Sequence, residues 1–261
     1  MNAIEHGSTV RTINQLPFRP IGDALRNAPP QPDWLIDGLV APTLVSVIGG
    51  LPKIGKSTLV FWMTKALASG QPFLGRKTTP ARTLLLTEER AMSLNEKRKL
   101  FAIGDDDVHI LMRHEAVGMP WKLTMRLACT HCRKHGLQLL VIDSWDKWAT
   151  TRSDAENSAG DTLANLAPVM DAAATGLAVA IVHHQRDAPG RHGARLRGSN
   201  ALAGGADVIL ELERSEIEDA NPADRIVRGT SRLLGTPAEL PFSWNPTAAV
   251  AAMNGHGPGW D

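Results

Sequence analysis

Two glycines, a lysine and a hydroxyl stand at the spacing G-x-x-x-x-G-K-[ST] in Gly50-Leu-Pro-Lys-Ile-Gly-Lys-Ser57. Those residue types at that spacing suit a nucleoside triphosphate. The glycines let backbone N–H groups close around phosphate oxygens, the Lys56 ammonium can reach the β- and γ-phosphates, and Ser57 offers a hydroxyl to Mg²⁺. Gly50, Leu51, Pro52, Lys53, Ile54, Gly55, Lys56, Ser57 and Thr58 are therefore the expected cradle for ATP, with Thr58 placed to bond the α-phosphate. Asp143 fits the same chemistry, because it ends the apolar run Leu139-Leu-Val-Ile142, the pattern in which a buried strand brings a carboxylate to the Mg²⁺ shell. Such runs are common by chance. Lying about 90 residues after a phosphate loop, this one marks Asp143 as the expected carboxylate partner of Ser57 at the metal.

Three further groups sit at the ends of apolar runs. Glu88-Glu89 follows Thr83-Leu-Leu-Leu-Thr87, where an acidic pair can orient a water for attack on phosphate or can cap the next helix, and the two roles are compatible. His183-His184 follows Ala178-Val-Ala-Ile-Val182, and an imidazole there can sense the γ-phosphate by hydrogen bonding. The loop from Gln185 to Gly198 then carries Arg186, Arg191, Arg195 and Arg197. A basic loop of this kind contacts a phosphodiester backbone, sends an arginine into a neighbouring subunit's site, or is simply solvated.

For these groups to meet, their strands must be parallel neighbours with the carboxyl ends together. The segment 45–50 reads as a buried strand, and Leu59, Trp62, Met63, Ala66 and Leu67 follow at helical spacing. Further buried strands are expected at 83–87, 108–112, 138–143 and 178–182. Helices are expected at 92–101, at about 121–135, and around Leu163, Leu166, Ala167 and Met170, where Pro168 can introduce a kink. The segments 207–213 and 225–231 alternate in polarity and read as antiparallel strands added at the sheet edge. The class that follows is α/β, a doubly wound, mostly parallel sheet. Residues 1–32, with Pro17, Pro20, Pro29, Pro30 and Pro32, read as a leader or linker, 33–245 as the nucleotide domain and 246–261 as a tail.

The balance of 28 basic and 27 acidic residues leaves a net charge of +1. No global basic field announces nucleic acid, so any such site is local. No apolar run approaches bilayer-spanning length and the N-terminus lacks a charged-then-apolar signal pattern, so a cytoplasmic location without membrane contact is expected. Both cysteines fall in Cys129-Thr-His-Cys132-Arg-Lys-His135. Thiols and imidazoles so close invite a zinc reading, but zinc sites usually draw ligand pairs from separate segments, and these share one expected helix. Free cysteines and surface histidines are the simpler expectation.

Taken together, Trp34-Leu-Ile-Asp-Gly38, the phosphate loop, Leu84-Leu-Leu-Thr-Glu-Glu89, Leu139-Leu-Val-Ile-Asp143, Val182-His-His184 and Arg197-Gly-Ser199 resemble RecA-like ATPases near the hexameric RepA-type replicative helicases of plasmids and phages. The resemblance spans about 33–245. It implies a Mg²⁺-dependent ATPase in which Glu89 polarises the attacking water, Asp143 is the metal-linked carboxylate, His184 senses the γ-phosphate and Arg197 reaches the adjacent subunit's nucleotide. It also implies a ring-shaped homo-oligomer, commonly a hexamer, acting on single-stranded DNA beside replication proteins. Two positions depart from the pattern: Arg90 stands where the family commonly follows its catalytic Glu with Asp, and Ser231-Arg232 stands where a late-strand Lys is common. Relatives with this core also include nucleotide-switched assembly or loader ATPases that act on protein partners without unwinding DNA.

Overall fold

A computed structural model of the chain describes residues 18–149, 159–185, 200–215 and 221–243. Contacts divide the chain into two units, with the boundary between Pro32 and Asp33. In the first unit, the described residues hold one short helix, α1 (Ile21–Leu25), which buries none of its side chains.

Among the described residues, the second unit is built on eight strands: β1 (Val45–Gly50), β2 (Thr83–Thr87), β3 (Val108–Met112), β4 (Leu139–Asp143), β5 (Ala178–His184), β6 (Val208–Arg214), β7 (Asp224–Ser231) and β8 (Glu239–Ser243). They lie in the order β3-β2-β4-β5-β1-β6-β7-β8. Every residue of β1, β2 and β4 is buried. That explains their near-continuous apolar runs, since a parallel strand covered on both faces has no solvent side to mark with polar residues.

Helices α2 (Lys56–Ser69) and α3 (Ala91–Leu100) cover one face. Their Leu59, Val60, Met63 and Leu94 join a core with Ile48, Leu85, Val141, Ala180 and Leu210. The other face carries α4 (Trp121–His135), α5 (Trp145–Trp148), α6 (Ala159–Ala174) and α7 (Asn200–Gly205). There Met125, Ala128, Leu166 and Leu202 pack on Val47, Leu84, Ile142 and Ile181, the alternate residues of the same strands. Two apolar cores thus clamp the sheet in an α/β/α sandwich.

One directional expectation is corrected. Strand β6 runs parallel to β1, with Ser46 opposite Val208 and Gly49 opposite Glu211, and the antiparallel pairings among the described strands are β6 with β7 and β7 with β8. Alternating burial carries no direction, whereas the long connection from β5 through α7 has the length that a parallel crossover needs. Strand β8 was not anticipated. Its Pro241 lacks an N–H and is tolerated because the strand is at the sheet edge.

Candidate active site

The sheet order places β2, β4, β5 and β1 side by side and parallel. In register, Thr87 faces Asp143, Asp143 faces Val182, and Gly50 faces His184. The carboxyl ends of four neighbouring strands therefore deliver Glu88, Asp143, His184 and the phosphate loop to one place, where ligands bind in open α/β sheets.

Gly50 is required by close approach. A Cβ there would lie 2.7 Å from the Leu212 carbonyl oxygen and 3.1 Å from Ile54 Cγ2. Gly55 caps α2 at φ +110°, a conformation that side chains rarely adopt. The helical ladder opens with Leu59 N–H donating to the Gly55 carbonyl at 2.8 Å. The amides of Lys56, Ser57 and Thr58 precede that ladder and can meet phosphate oxygens at the positive end of the helix dipole.

Lys56 is buried, and its Nζ donates to the carbonyls of Gly50 at 2.7 Å and Leu51 at 2.8 Å. Burial lowers its pKa to about 8, although Asp143 and Asp146 pull it upward. Asp143 is buried too. Its pKa is raised to about 6 by burial, against the Ser57 hydrogen bond and with a further push from Glu89 and Glu88. Among the described residues, Asp143 Oδ2 is buried with no hydrogen-bond donor. An orphaned buried carboxylate oxygen is costly, and a cation relieves that cost. The residues present therefore fit Mg²⁺, which Ser57 and Asp143 would hold. When bound, it supplies charge neutralisation at the β- and γ-phosphate oxygens.

The two glutamates part company. Glu89 accepts Ser93 Oγ at 2.8 Å and forms an ion pair with Lys97, both side chains being 16% exposed. Both of its carboxylate oxygens take bonds from α3. Glu88 instead joins the strand ends: its N–H donates to the Asp143 carbonyl at 2.9 Å, and its Oε1 accepts Ser144 Oγ at 2.7 Å. His184 Nε2 lies 3.9 Å from the same Oε1. The water-orienting role expected of Glu89 thus meets a carboxylate already engaged by Lys97; both acids bear on Asp143, and Glu88 is the one bonded to Ser144 and nearest His184.

His184 is half-buried, and burial followed by the Lys56 charge holds it below the ordinary imidazole range, so it is neutral at physiological pH. His183 Nδ1 is 3.3 Å from Asp146 Oδ1. Burial pushes Asp146 up, but His183 and His184 outweigh it and leave the carboxyl below its usual range. Next along, Gln185 Nε2 donates to Glu211 Oε1 at 2.8 Å, both residues buried, which ties the end of β5 to β6. A cavity of about 340 Å³ opens beside the loop, lined by Leu51, Pro52, Lys53, Leu212 and Arg214 among others.

Arg197, with the basic loop 186–199, lies outside the described residues, as do 150–158 and the tail from 244. Arg232 is described and exposed, its guanidinium donating to the Gly204 carbonyl. Sequence reasoning missed Asp146, Ser144, Gln185 and Glu211. Asp146 had one weak signal, a second carboxylate three residues after Asp143.

Compared with known protein families, residues 11–189 match the AAA domain. The chain belongs to the AAA domain family. No curated protein matches it in sequence. Among solved structures, it is similar to the KaiC-like protein PH0186 of the hyperthermophilic archaeon Pyrococcus horikoshii OT3, with a TM-score of 0.55 and 16% identity over 83% of this chain and 94% of that one. At that identity the likeness shows the fold alone, a RecA-like, mostly parallel α/β/α sandwich. As an AAA-family ATPase domain, the chain presents its phosphate loop and strand-end acids where such a core binds nucleotide. Among the described residues, no helix is long and apolar enough to cross a membrane.

Proposed function

We propose that this protein is a Mg²⁺-dependent ATP hydrolase that works as a ring-shaped homo-oligomer on single-stranded DNA, as a helicase serving replication of a plasmid, phage or integrated element. The observation that carries the hydrolytic part is the convergence of Lys56, Asp143, Glu88 and His184 at adjacent strand ends. In this reading the loop amides and Lys56 hold the phosphates, Ser57 and Asp143 hold the metal, and the cavity beside Pro52 and Lys53 takes the nucleoside end.

Glu88 is assigned as the acid that polarises water. Among the described residues its Oε1 keeps only Ser144 as a close donor, and His184, 3.9 Å away, feels both that carboxylate and the Lys56 charge. With Glu88 in that role, Glu89 occupies the acidic position that the helicase family commonly fills with Asp, and the departure noted at Arg90 disappears. His184, kept neutral, can change its hydrogen bond when the γ-phosphate leaves and pass that change to the arginine loop that follows β5. Arg197 is assigned to the neighbouring subunit's nucleotide, and the rest of that loop to the DNA backbone.

The test is steady-state ATP turnover with Mg²⁺, with and without single-stranded DNA. The motor reading predicts a rise in turnover with DNA and its loss when Arg186, Arg191 and Arg195 are replaced together. Turnover indifferent to DNA overturns the helicase assignment and favours a loader or assembly ATPase acting on a protein partner.

A further inference from the structure

The histidines of the 129–135 segment have no part in the nucleotide site. On α4, His131 and His135 stand one helical turn apart and share a face, with ring centres 4.3 Å apart. Strand β3 brings His109 to the same spot. Its ring centre lies 5.1 Å from that of His131 and 5.0 Å from that of His135, and its Nδ1 is 2.9 Å from His131 Nε2. All three residues are only partly buried, so solvent reaches them. The fold thus supplies what the sequence lacked for a metal reading, a ligand from a separate segment.

We propose that His109, His131 and His135 form a three-imidazole site for a first-row divalent transition ion of the zinc class, clipping the edge strand β3 to α4. Two histidines four apart on a helix are a zinc-binding arrangement, and a third nitrogen ligand completes the protein set of an open tetrahedral site. With metal–nitrogen bonds of about 2.0–2.1 Å, two ring centres around one ion stand about 5.2 Å apart and their ligating nitrogens about 3.3 Å apart. The 5.1 Å between the His109 and His131 ring centres is that of two rings joined almost end to end by their 2.9 Å hydrogen bond, so these two nitrogens now face each other rather than a common point. The rings now close on a hydrogen bond, and no set of ligands among the described residues is already arranged about a common point. Loading therefore requires the His109–His131 contact to open by about 0.4 Å, the helix pair to part by about 1 Å, and the His109 and His131 rings to turn until their nitrogens aim at one point off the present N···N line.

The donor set selects the ion. Neutral imidazoles suit Zn²⁺, Ni²⁺, Co²⁺ and Cu²⁺ and are poor ligands for Mg²⁺, so the site does not compete for the nucleotide's metal. The cysteines stay outside the set. Cys132 is fully buried in the core under α4, and Cys129 packs against the same core.

The experiment titrates Co²⁺ and Zn²⁺ into tag-free, nucleotide-free protein, following calorimetry, the visible Co²⁺ spectrum and thermal unfolding. The expected result is one ion per chain, an intense tetrahedral visible band without a thiolate charge-transfer band, and a raised Tm. His109→Ala, shown to fold by circular dichroism, should weaken binding by roughly tenfold or more. Cys129→Ser should bind as the parent does. Equal binding by His109→Ala, a thiolate band, or no binding at 100-fold molar excess of ion would each overturn the proposal.

Discussion

The sharpest consequence of the strand-end geometry concerns Glu88 and Glu89, whose conversion to glutamine should have opposite effects. In Glu88→Gln the new amide oxygen can still accept the Ser144 hydroxyl, now held at 2.7 Å, so the fold and nucleotide binding are expected to survive. What is lost is a carboxylate able to take a proton from water. That loss costs about 10²–10⁴ in turnover, or about 3–5 kcal/mol in the barrier. Glu89→Gln removes the charge that faces Lys97, in a pair whose side chains are each 16% exposed. The Lys97 and Ser93 donors keep an oxygen to bond but not a charged one, a loss of about 1–2 kcal/mol. In a unit of this size that lowers Tm by roughly 2–8 °C. The assays are phosphate release at saturating ATP, affinity for a fluorescent nucleotide, and a thermal melt for each variant. The expected pattern is a catalytically dead Glu88→Gln with parental Tm and a less stable Glu89→Gln that still hydrolyses. An inactive Glu89→Gln at parental Tm beside an active Glu88→Gln would refute the assignment.

Other outcomes follow from the same site. Arg197→Ala should bind ATP yet lose about 10³-fold or more in turnover, and mixing it with Lys56→Ala should restore part of the activity, because a mixed interface can pair an intact phosphate loop with an intact arginine. A mixture that stays inactive while subunits demonstrably exchange contradicts the trans role. Lys56, held at about 8 in the free protein, should regain its proton when phosphate arrives. ATP affinity is therefore full below pH 8 and falls as pH rises through it, and calorimetry at pH 8 in buffers of different ionisation enthalpy should show an uptake of about half a proton. Affinity independent of pH from 7 to 9 would count against this. Gly50→Ala should abolish nucleotide binding, since its Cβ would press on the Leu212 carbonyl at 2.7 Å. Retained affinity would show that the loop can shift away from β6.

Much of this architecture was legible because the chemistry sits where apolar runs stop. Leu139 to Ile142 must be buried on both faces, so the first polar residue after them, Asp143, is delivered to the strand end. The same logic located Glu88-Glu89 and His183-His184. It could not choose between adjacent acids, because beyond Thr87 the chain leaves the strand and the turn into α3 decides which carboxylate meets Lys97. That pairing joins residues eight apart across a turn and a helix, a spacing that no simple periodicity marks. Nor could alternation reveal the direction of β6, which depends on its crossover. The imidazole trio was hidden for a related reason: His109 and His131 are 22 residues apart and meet only because β3 is the edge strand beside α4.

The central claim, that Lys56 and the strand-end acids form one hydrolytic nucleotide site, is tested most directly by phosphate release from ATP and Mg²⁺ by the parent protein and by Lys56→Ala under identical conditions. The account predicts turnover by the parent and none above background by the variant, which should keep its secondary structure. Phosphate release by Lys56→Ala at the parental rate would contradict it.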